Sequence, residues 1–231
     1  MVTPDLSRQS LFESLAARYD VATEEVQIGA MVFQMLTVRD TNALLDRLDP
    51  VSFSQDERMP YWAELWTSSI ELARWCLEES TLCGRRVLEL GCGLGLGGIA
   101  AARSGATVTM TDYEDDALLF AQYNALLNPG PALPRFVRFD WRESSSLGLF
   151  DVVIGGDIVY ERRNFSPVVR ALLVLLKPSG YAVLTEPGRG IGRDFFTFAS
   201  AEGFNVETTS TQRTRRGRES TITRNLLRRK R

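Results

Sequence analysis

The sequence contains no histidine among its 231 residues. Catalytic triads or dyads with a histidine base and metal centres with histidine ligands are therefore excluded, and we predict no metal site. The only cysteines are Cys76, Cys83 and Cys92, an odd number without CxxC spacing, which indicates neither a disulfide framework nor a zinc site. No apolar run approaches the ~20 residues of a membrane helix. We expect a cytoplasmic protein with reduced thiols and no membrane association.

Charge is distributed unevenly along the chain. Residues 213–231 contain nine Arg or Lys and one acid, a net charge of about +8, whereas the whole chain carries −2. The remainder is therefore acidic, which argues against a general nucleic-acid binder on electrostatic grounds. The basic end is compatible with an acidic partner or an RNA, but a solvated edge is the commoner explanation.

Two regions differ in pattern. Residues 1–62 contain a predicted helix over Leu6–Tyr19, a β-rich run over Glu25–Val38 with a bend at Gly29, and a further helix over Thr41–Leu48. We interpret them as an N-terminal accessory segment made of a helix and a hairpin. Residues 63–231 form the second predicted unit.

In residues 63–231 strands alternate with helices. Five short strands are predicted before the last two, at Arg86–Leu90, Thr107–Thr111, Arg135–Phe139, Phe150–Ile154 and Tyr181–Thr185. The βαβ units that join them produce parallel neighbours. Phe204–Thr211 and Ser220–Arg228 are joined by too short a link for a crossover helix, so one of them is antiparallel. We predict a doubly wound α/β fold (Rossmann-like) with a mostly parallel seven-stranded sheet and one antiparallel strand near the edge.

A glycine-rich turn follows the strand Arg86–Leu90 and leads into a helix. The glycines of Gly91-Cys92-Gly93-Leu94-Gly95 allow the backbone to approach a ligand, and the helix N-terminus offers unpaired N–H groups. Asp112 ends the next strand, 19 residues after Gly93, where a carboxylate can accept hydrogen bonds from both hydroxyls of a ribose. This arrangement predicts a cofactor that contains a nucleoside.

Two classes of cofactor compete for this turn. Residues 93–98 satisfy the GxGxxG signature of dinucleotide binding. Glu89, however, extends the pattern to ExGxGxG, and a carboxylate there would repel a pyrophosphate but suit a cofactor that carries an ammonium group. We therefore predict S-adenosylmethionine, with a nicotinamide enzyme as the alternative.

Several motifs occur together from Tyr61 to the C-terminus. They are Trp66 in ELWTSS, the run ELGCGLGLGG, Asp112 in TDY, Trp141 in FDWR and GDIVY at residues 156–160. The sequence resembles the class I (seven-β-strand) methyltransferases, and within them the family-16 group of protein-lysine methyltransferases. ELGxGxG is generic to the class, whereas an upstream ELW combined with an acid-x-x-Tyr after the fourth strand is far more restrictive.

The resemblance implies which residues bind the cofactor. Gly91, Cys92 and Gly93 would line its methionine part, and Asp112 would hold the ribose. The other positions that match cofactor contacts of the family, together with the Glu89 inferred above, are Trp66, Asp140, Trp141 and Gly156. For both tryptophans, core packing is the alternative.

The resemblance also implies two catalytic residues, Asp157 and Tyr160. Because a carboxylate raises the pKa of a neighbouring amine, Asp157 is expected to capture and orient a substrate lysine while water removes the proton. Tyr160 offers a ring face or a hydroxyl. A strand-end cap or a hydrogen bond to the cofactor is the alternative for Asp157, and simple packing is the alternative for Tyr160.

Further residues are predicted at the carboxyl edge of the sheet without a catalytic role. Glu186 and Arg189, in TEPGRG, are compatible with substrate contact or with a plain surface loop. Tyr61 and Trp62 are expected to form part of an aromatic rim.

The function that the resemblance implies is that of an S-adenosylmethionine-dependent methyltransferase acting on a lysine side chain of a protein substrate. A small-molecule N-methyltransferase is the first alternative, and a non-catalytic module that keeps the cofactor cavity is the second. An open acidic groove near Asp157 would favour a protein partner, and an enclosed cavity a small molecule.

Overall fold

The computed structural model describes residues 7–47, 59–143 and 147–230. Within these ranges the strands are β1 (Val21–Ile28), β2 (Met31–Val38), β3 (Arg86–Leu90), β4 (Thr107–Asp112), β5 (Arg135–Arg138), β6 (Phe150–Gly156), β7 (Leu176–Glu186), β8 (Phe204–Arg215) and β9 (Arg218–Arg229). The helices are α1 (Arg8–Ala16), α2 (Thr67–Glu78), α3 (Leu96–Arg103), α4 (Asp115–Leu127), α5 (Phe165–Leu175) and α6 (Gly190–Ala201). None of the helices in these ranges has the length and apolar character that crossing a bilayer demands.

Seven strands form one sheet in the order β5-β4-β3-β6-β7-β9-β8. Strands β3 to β7 are parallel, and β9 runs antiparallel to both of its neighbours. The predicted fold class is therefore confirmed. The strand order reverses between β3 and β6, and ligands bind at such a switch point in open α/β sheets.

The structure changes several predicted boundaries. The last two strands are longer than predicted, because only Arg216 and Gly217 separate them; both have positive φ, 49° and 74°, as in two-residue hairpin turns. The bend at Gly29 is confirmed, with a φ of 59° between β1 and β2. The helix predicted over Thr41–Leu48 is a 3₁₀ helix at Asn42–Arg47, and Leu48 lies outside the described residues.

The N-terminal hairpin packs on α4 through two side-chain amides. Asn124 accepts a hydrogen bond from the N–H of Leu36 at 2.7 Å and donates one to its carbonyl at 3.1 Å. Asn128, one turn later, does the same with Gln34 at 2.9 and 2.7 Å. The two amides therefore satisfy the free edge of β2 as a neighbouring strand would. Apolar residues of α1, β1 and β2 share one cluster with α3 and α4, while the boundary at residues 62/63 stays a prediction.

The basic C-terminal hairpin binds acids of the same chain. Arg213 pairs with Glu71 of α2 at 2.7 Å, and both Arg215 and Arg216 pair with Glu24 of β1, at 2.9 and 2.8 Å. These contacts join the tip of the β8–β9 hairpin to the first strand and to α2. The basic end is thus not simply a solvated edge, since part of its charge neutralises the acidic body.

Candidate functional site

A cavity with about 640 Å³ of open space lies at the switch point of the sheet, where β3 and β6 end. Nine of the eleven predicted site residues line it: Trp66, Gly91, Cys92, Gly93, Asp112, Trp141, Gly156, Asp157 and Tyr160. They come from the ends of β3, β4 and β6 and from the segments that follow β5 or precede α2. The two exceptions are Glu89 and Asp140.

The glycine turn forms one wall of the cavity and is closely confined. Gly91 has a φ of 59°, and a Cβ there would lie 2.9 Å from Cγ2 of Ile158 and 3.3 Å from Cζ3 of Trp141. At Gly93, with a φ of 50°, a Cβ would lie 3.1 Å from the carbonyl oxygen of Trp62. These positions require glycine both for their backbone conformation and for space. The turn therefore presents bare backbone to whatever occupies the cavity.

Asp112 connects the end of β4 to the glycine turn. Its Oδ2 accepts the N–H of Gly93 at 2.9 Å, and its Oδ1 accepts the N–H of Glu114 at 3.0 Å. Burial raises the pKa of this carboxyl to about 6, although the two N–H donors act in the opposite direction. The group is therefore largely ionised at neutral pH. Each oxygen keeps a lone pair, which fits the acceptor that a ribose needs.

Glu89 lies beneath the turn and is not part of the cavity wall. Its Oε2 accepts the N–H of Gly98 at 2.9 Å in the first turn of α3, and Cβ atoms at Gly97 and Gly98 would lie within 2.6 Å of its carboxyl oxygens. Burial raises its pKa to about 8, so the group is mostly neutral at pH 7. Glu89 thus supports the turn, and its expected contact with a cofactor ammonium stays a prediction.

Asp140 faces a second hollow of about 390 Å³, which shares Trp141 with the first cavity. Its carboxylate pairs with Arg142, with a shortest distance of 2.6 Å. The Trp141 indole N–H points to Oδ1 of Asn164 at 3.4 Å, and the ring stands against Gly91. A role for Asp140 at an adenine edge stays a prediction.

Aromatic side chains border the mouth of the cavity. The rings of Tyr61 and Tyr160 meet edge to face with centroids 5.2 Å apart, and those of Tyr61 and Trp66 are 6.1 Å apart. The Trp66 indole donates to the carbonyl of Tyr61 at 2.9 Å. Trp62 also lines the cavity, so the predicted rim of Tyr61 and Trp62 is confirmed. Burial raises the pKa of Tyr160, which therefore keeps its proton at neutral pH.

Asp157 follows β6 in a conformation that is uncommon for a residue with a side chain. Its φ is 56°, its N–H donates to the carbonyl of Thr185 at 2.8 Å, and only 7% of the residue is exposed. Oδ1 accepts a hydrogen bond from Nη1 of Arg189 at 2.7 Å, whereas Oδ2 is buried with no hydrogen-bond partner. Burial raises the pKa of this carboxyl, and Arg189 opposes the rise.

Several residues in or beside the site were absent from the predicted set, and four of them bear on its chemistry. Ser69, Tyr113 and Ile158 line the cavity, and Arg189 reaches Asp157 from outside it. The GDIVY motif could have indicated Ile158, because it stands directly after Asp157. The sequence placed Arg189 at the carboxyl edge of the sheet. Its ion pair with Asp157 could not be predicted, because it is a tertiary contact.

The fold, with its cavity at the switch point of the sheet, is the one found in solved S-adenosylmethionine-dependent methyltransferases. The magnesium protoporphyrin IX methyltransferase of Synechocystis PCC 6803, solved with bound SAM, superposes with a TM-score of 0.56 over 83% of this chain and 98% of that one, at 19% identity. The ribosomal protein L11 methylase of Lactobacillus delbrueckii subsp. bulgaricus gives a TM-score of 0.57 over 73% and 81%, also at 19% identity. At this identity the likeness shows the fold.

A model of the lysine methyltransferase family matches residues 48–199, and the chain belongs to that family. Its relatives include the "Histidine protein methyltransferase 1 homolog" of Dictyostelium discoideum, 29% identical over 63% of this chain and 48% of the relative. "Protein N-lysine methyltransferase METTL21A" of Danio rerio is 35% identical over 53% and 59%. The chain thus spans about half the length of these relatives. "EEF1A lysine methyltransferase 3" of Mus musculus is 32% identical over 65% and 67%.

Proposed function

We propose that this protein transfers a methyl group from S-adenosylmethionine to a lysine side chain of a protein. The observation that carries the proposal is the carboxylate of Asp157, whose Oδ2 is buried beside the cavity without a partner. A buried polar atom of this kind costs free energy unless a ligand satisfies it. A substrate amine is such a ligand, and the rings of Trp66 and Tyr160 are suited to a cationic or methylated amine.

The cavity residues fit the proposed cofactor. Gly91 and Gly93 expose backbone beside Trp141, Asp112 offers acceptors for a ribose, and Cys92 and Gly156 also line the cavity. A dinucleotide fits less well, because one N–H at the start of α3 is already bound to Glu89, and a pyrophosphate would need such groups. When bound, S-adenosylmethionine supplies a methyl group on a positively charged sulfur.

The substrate lysine must lose its proton before its amine can accept a methyl group. Removing a proton from a lysine of pKa ~10.4 at pH 7 costs about 4.6 kcal/mol. In the reaction the neutral amine forms a bond to the methyl carbon while the carbon–sulfur bond breaks, which leaves S-adenosylhomocysteine. Asp157 would hold the amine in line, Tyr160 would border it, and water at the open mouth would take the proton. Positioning of this kind accounts for a site without a strong base.

The protein substrate and the place of action are part of the same proposal. The named relatives act on proteins, in keeping with a mouth that opens to the surface. The three thiols are free, and two of them, Cys76 and Cys92, are buried. Free thiols are typical of a reducing compartment, so we propose that the protein acts in the cytoplasm.

The test combines labelled S-adenosylmethionine with a protein extract from the organism that encodes the chain. We expect mass spectrometry to find the labelled methyl group on a lysine side chain. Asp157→Asn, which keeps the shape of the side chain, should lower the rate at least about 100-fold while leaving the affinity for S-adenosylhomocysteine within about threefold, because the carboxylate acts on the amine. The matched control is Asp194→Asn, the same change at an exposed position of α6.

Three results would contradict the proposal. They are label found only on histidine or only on small molecules, no label at all, and full turnover by Asp157→Asn. Label only on small molecules would point to a small-molecule site, no label to a binding module, and full turnover by Asp157→Asn to a different orienting group.

A further inference from the structure

Arg189 contacts the site from outside the cavity. Its Nη1 lies 2.7 Å from Oδ1 of Asp157, and its Cζ lies 5.9 Å from the centroid of the Trp66 ring. The guanidinium is therefore held between a carboxylate and an aromatic face, both of which border the proposed position of the amine. The Arg189 side chain is 41% exposed.

The backbone that carries Arg189 is fixed by a buried acid. Arg189 is the N-cap of α6, and its N–H donates to Oε2 of Glu186 at 2.9 Å. Glu186 is 3% exposed and also accepts a hydrogen bond from Oγ1 of Thr223 on β9. A Cβ at Gly192 would lie 2.5 Å from Cδ of Glu186, so glycine is needed to make room for this acid. The loop after β7 therefore holds Arg189 at a defined place.

Asp157 is fixed from its own side. Its positive φ of 56° is a costly conformation that persists only where surrounding contacts enforce it, and here its N–H is bound to Thr185 of β7. With its backbone held, the carboxylate accepts the hydrogen bond of Arg189 on Oδ1, and Oδ2 makes no hydrogen bond that meets the same geometry. The ion pair thus sets which oxygen remains for a ligand.

The charges that face Asp157 come from few elements. From α2 it is faced by Ser68, which carries no charge, and from β7 and the following loop by Glu186 and Arg189. Burial and Glu186 raise the pKa of Asp157, whereas Arg189 and, to a smaller extent, the hydroxyl of Ser68 lower it. Among the described residues that act on this carboxyl, Arg189 supplies the opposing positive charge.

We propose that Arg189 is a positioning residue that keeps Asp157 ionised and directs its second oxygen, Oδ2, toward the amine that accepts the methyl group. Arg189 partly neutralises the negative charge of Asp157. Asp157 therefore raises the pKa of the nearby amine less than an unpaired carboxylate would. The inference rests on the proposed function for the identity of the amine. The geometry of the Arg189–Asp157 ion pair does not depend on the proposed function.

The kinetic test uses three variants. Arg189→Gln removes the charge, Arg189→Lys conserves it, and Arg193→Gln makes the same change as the first at an exposed position of the same helix. We expect the acidic limb of the pH profile of kcat/KM to move upward by about one pH unit or more in Arg189→Gln. Arg189→Lys should restore much of the wild-type profile, and Arg193→Gln should match it.

A double variant and a binding measurement separate positioning from a structural role. Adding Arg189→Gln to Asp157→Asn should change the rate little further, because both changes act through one carboxylate. Affinity for S-adenosylhomocysteine should stay within about threefold in Arg189→Gln. Loss of this affinity in both Arg189→Gln and Arg189→Lys would show a structural role and overturn the proposal.

An NMR titration measures the effect without any methyl acceptor. The ¹³C resonance of the Asp157 carboxyl, recognised by its absence in Asp157→Asn, should give a pKa about one unit higher in Arg189→Gln than in the wild type. An equal pKa in both proteins would overturn the proposal. A raised pKa in a protein that methylates no lysine would support the role of Arg189 and reject the proposed function.

Discussion

Replacing Glu89 by Gln should change how the stability of the protein depends on pH. In the folded chain Glu89 is buried under the glycine turn with a pKa of about 8, against a usual value of 4.5. Gln keeps an oxygen that can accept the N–H of Gly98 but has no proton to lose. The variant therefore retains the support of the turn and removes the titration.

The sign and the size of the effect follow from the raised pKa. Below about pH 4.5 Glu89 is protonated in both the folded and the unfolded chain, so its titration does not lower the free energy of unfolding there. As the pH rises further, the unfolded chain releases its proton while the folded chain keeps it up to about pH 8, so stability falls by as much as ~1.4 kcal/mol per pH unit. Between about pH 6 and pH 8 the integrated loss is about 2 kcal/mol.

The assay is urea denaturation of the wild type and of Glu89→Gln at about pH 6, 7 and 8. Asp112, with a pKa of about 6, is present in both proteins, and its charge is a smaller cause of the raised pKa of Glu89 than burial is. We expect the free energies of unfolding to diverge by about 2 kcal/mol over this range, with the variant gaining relative to the wild type. Glu202→Gln, at an exposed position, is the matched control and should parallel the wild type. Parallel curves for Glu89→Gln and the wild type would refute the assigned burial and titration.

Three further predictions concern the turn and the N-terminal hairpin. Gly91→Ala should weaken binding of S-adenosylhomocysteine at least about tenfold in calorimetry, because φ is 59° and the new Cβ would crowd Ile158; unchanged affinity would contradict the confined turn. Asn124→Ala should lower the free energy of unfolding by about 3 kcal/mol in urea, because it strands the buried N–H and carbonyl of Leu36; a loss below about 1 kcal/mol would disprove this support. Arg215→Met should make limited proteolysis of the N-terminal hairpin at least about threefold faster, since it removes an ion pair to β1; equal cleavage rates would show that the pair does not hold the hairpin.

Local pattern was sufficient to predict the elements that carry the cofactor cavity. The apolar run Arg86–Leu90, bounded by a glycine turn, is found as β3 with the same limits. Asp112 ends β4 as its spacing from Gly93 predicts, and the two are joined by a hydrogen bond. These features depend on a βαβ unit of short sequence separation, which is why periodicity and turn chemistry reveal them.

The direction of Glu89 and the partner of Asp157 could not be predicted in this way. β3 is buried on both faces, so its sequence does not tell which side of the sheet a given residue faces. Arg189 lies 32 residues after Asp157 and reaches it only because β6 and β7 are neighbours and Asp157 has a positive φ. Likewise, the sequence identifies Asn124 only as a polar residue of a predicted helix. Its hydrogen bond to Leu36 could not be predicted, because Leu36 lies 88 positions away in the chain. Contacts of this kind depend on tertiary packing.

Calorimetric titration of the purified chain with S-adenosylhomocysteine tests the central claim most directly, because it asks what the cavity between β3 and β6 holds. We predict one molecule bound per chain, with affinity reduced in Gly91→Ala and preserved in Asp157→Asn, and no heat with NAD. Tight binding of NAD together with no heat from S-adenosylhomocysteine would contradict the account.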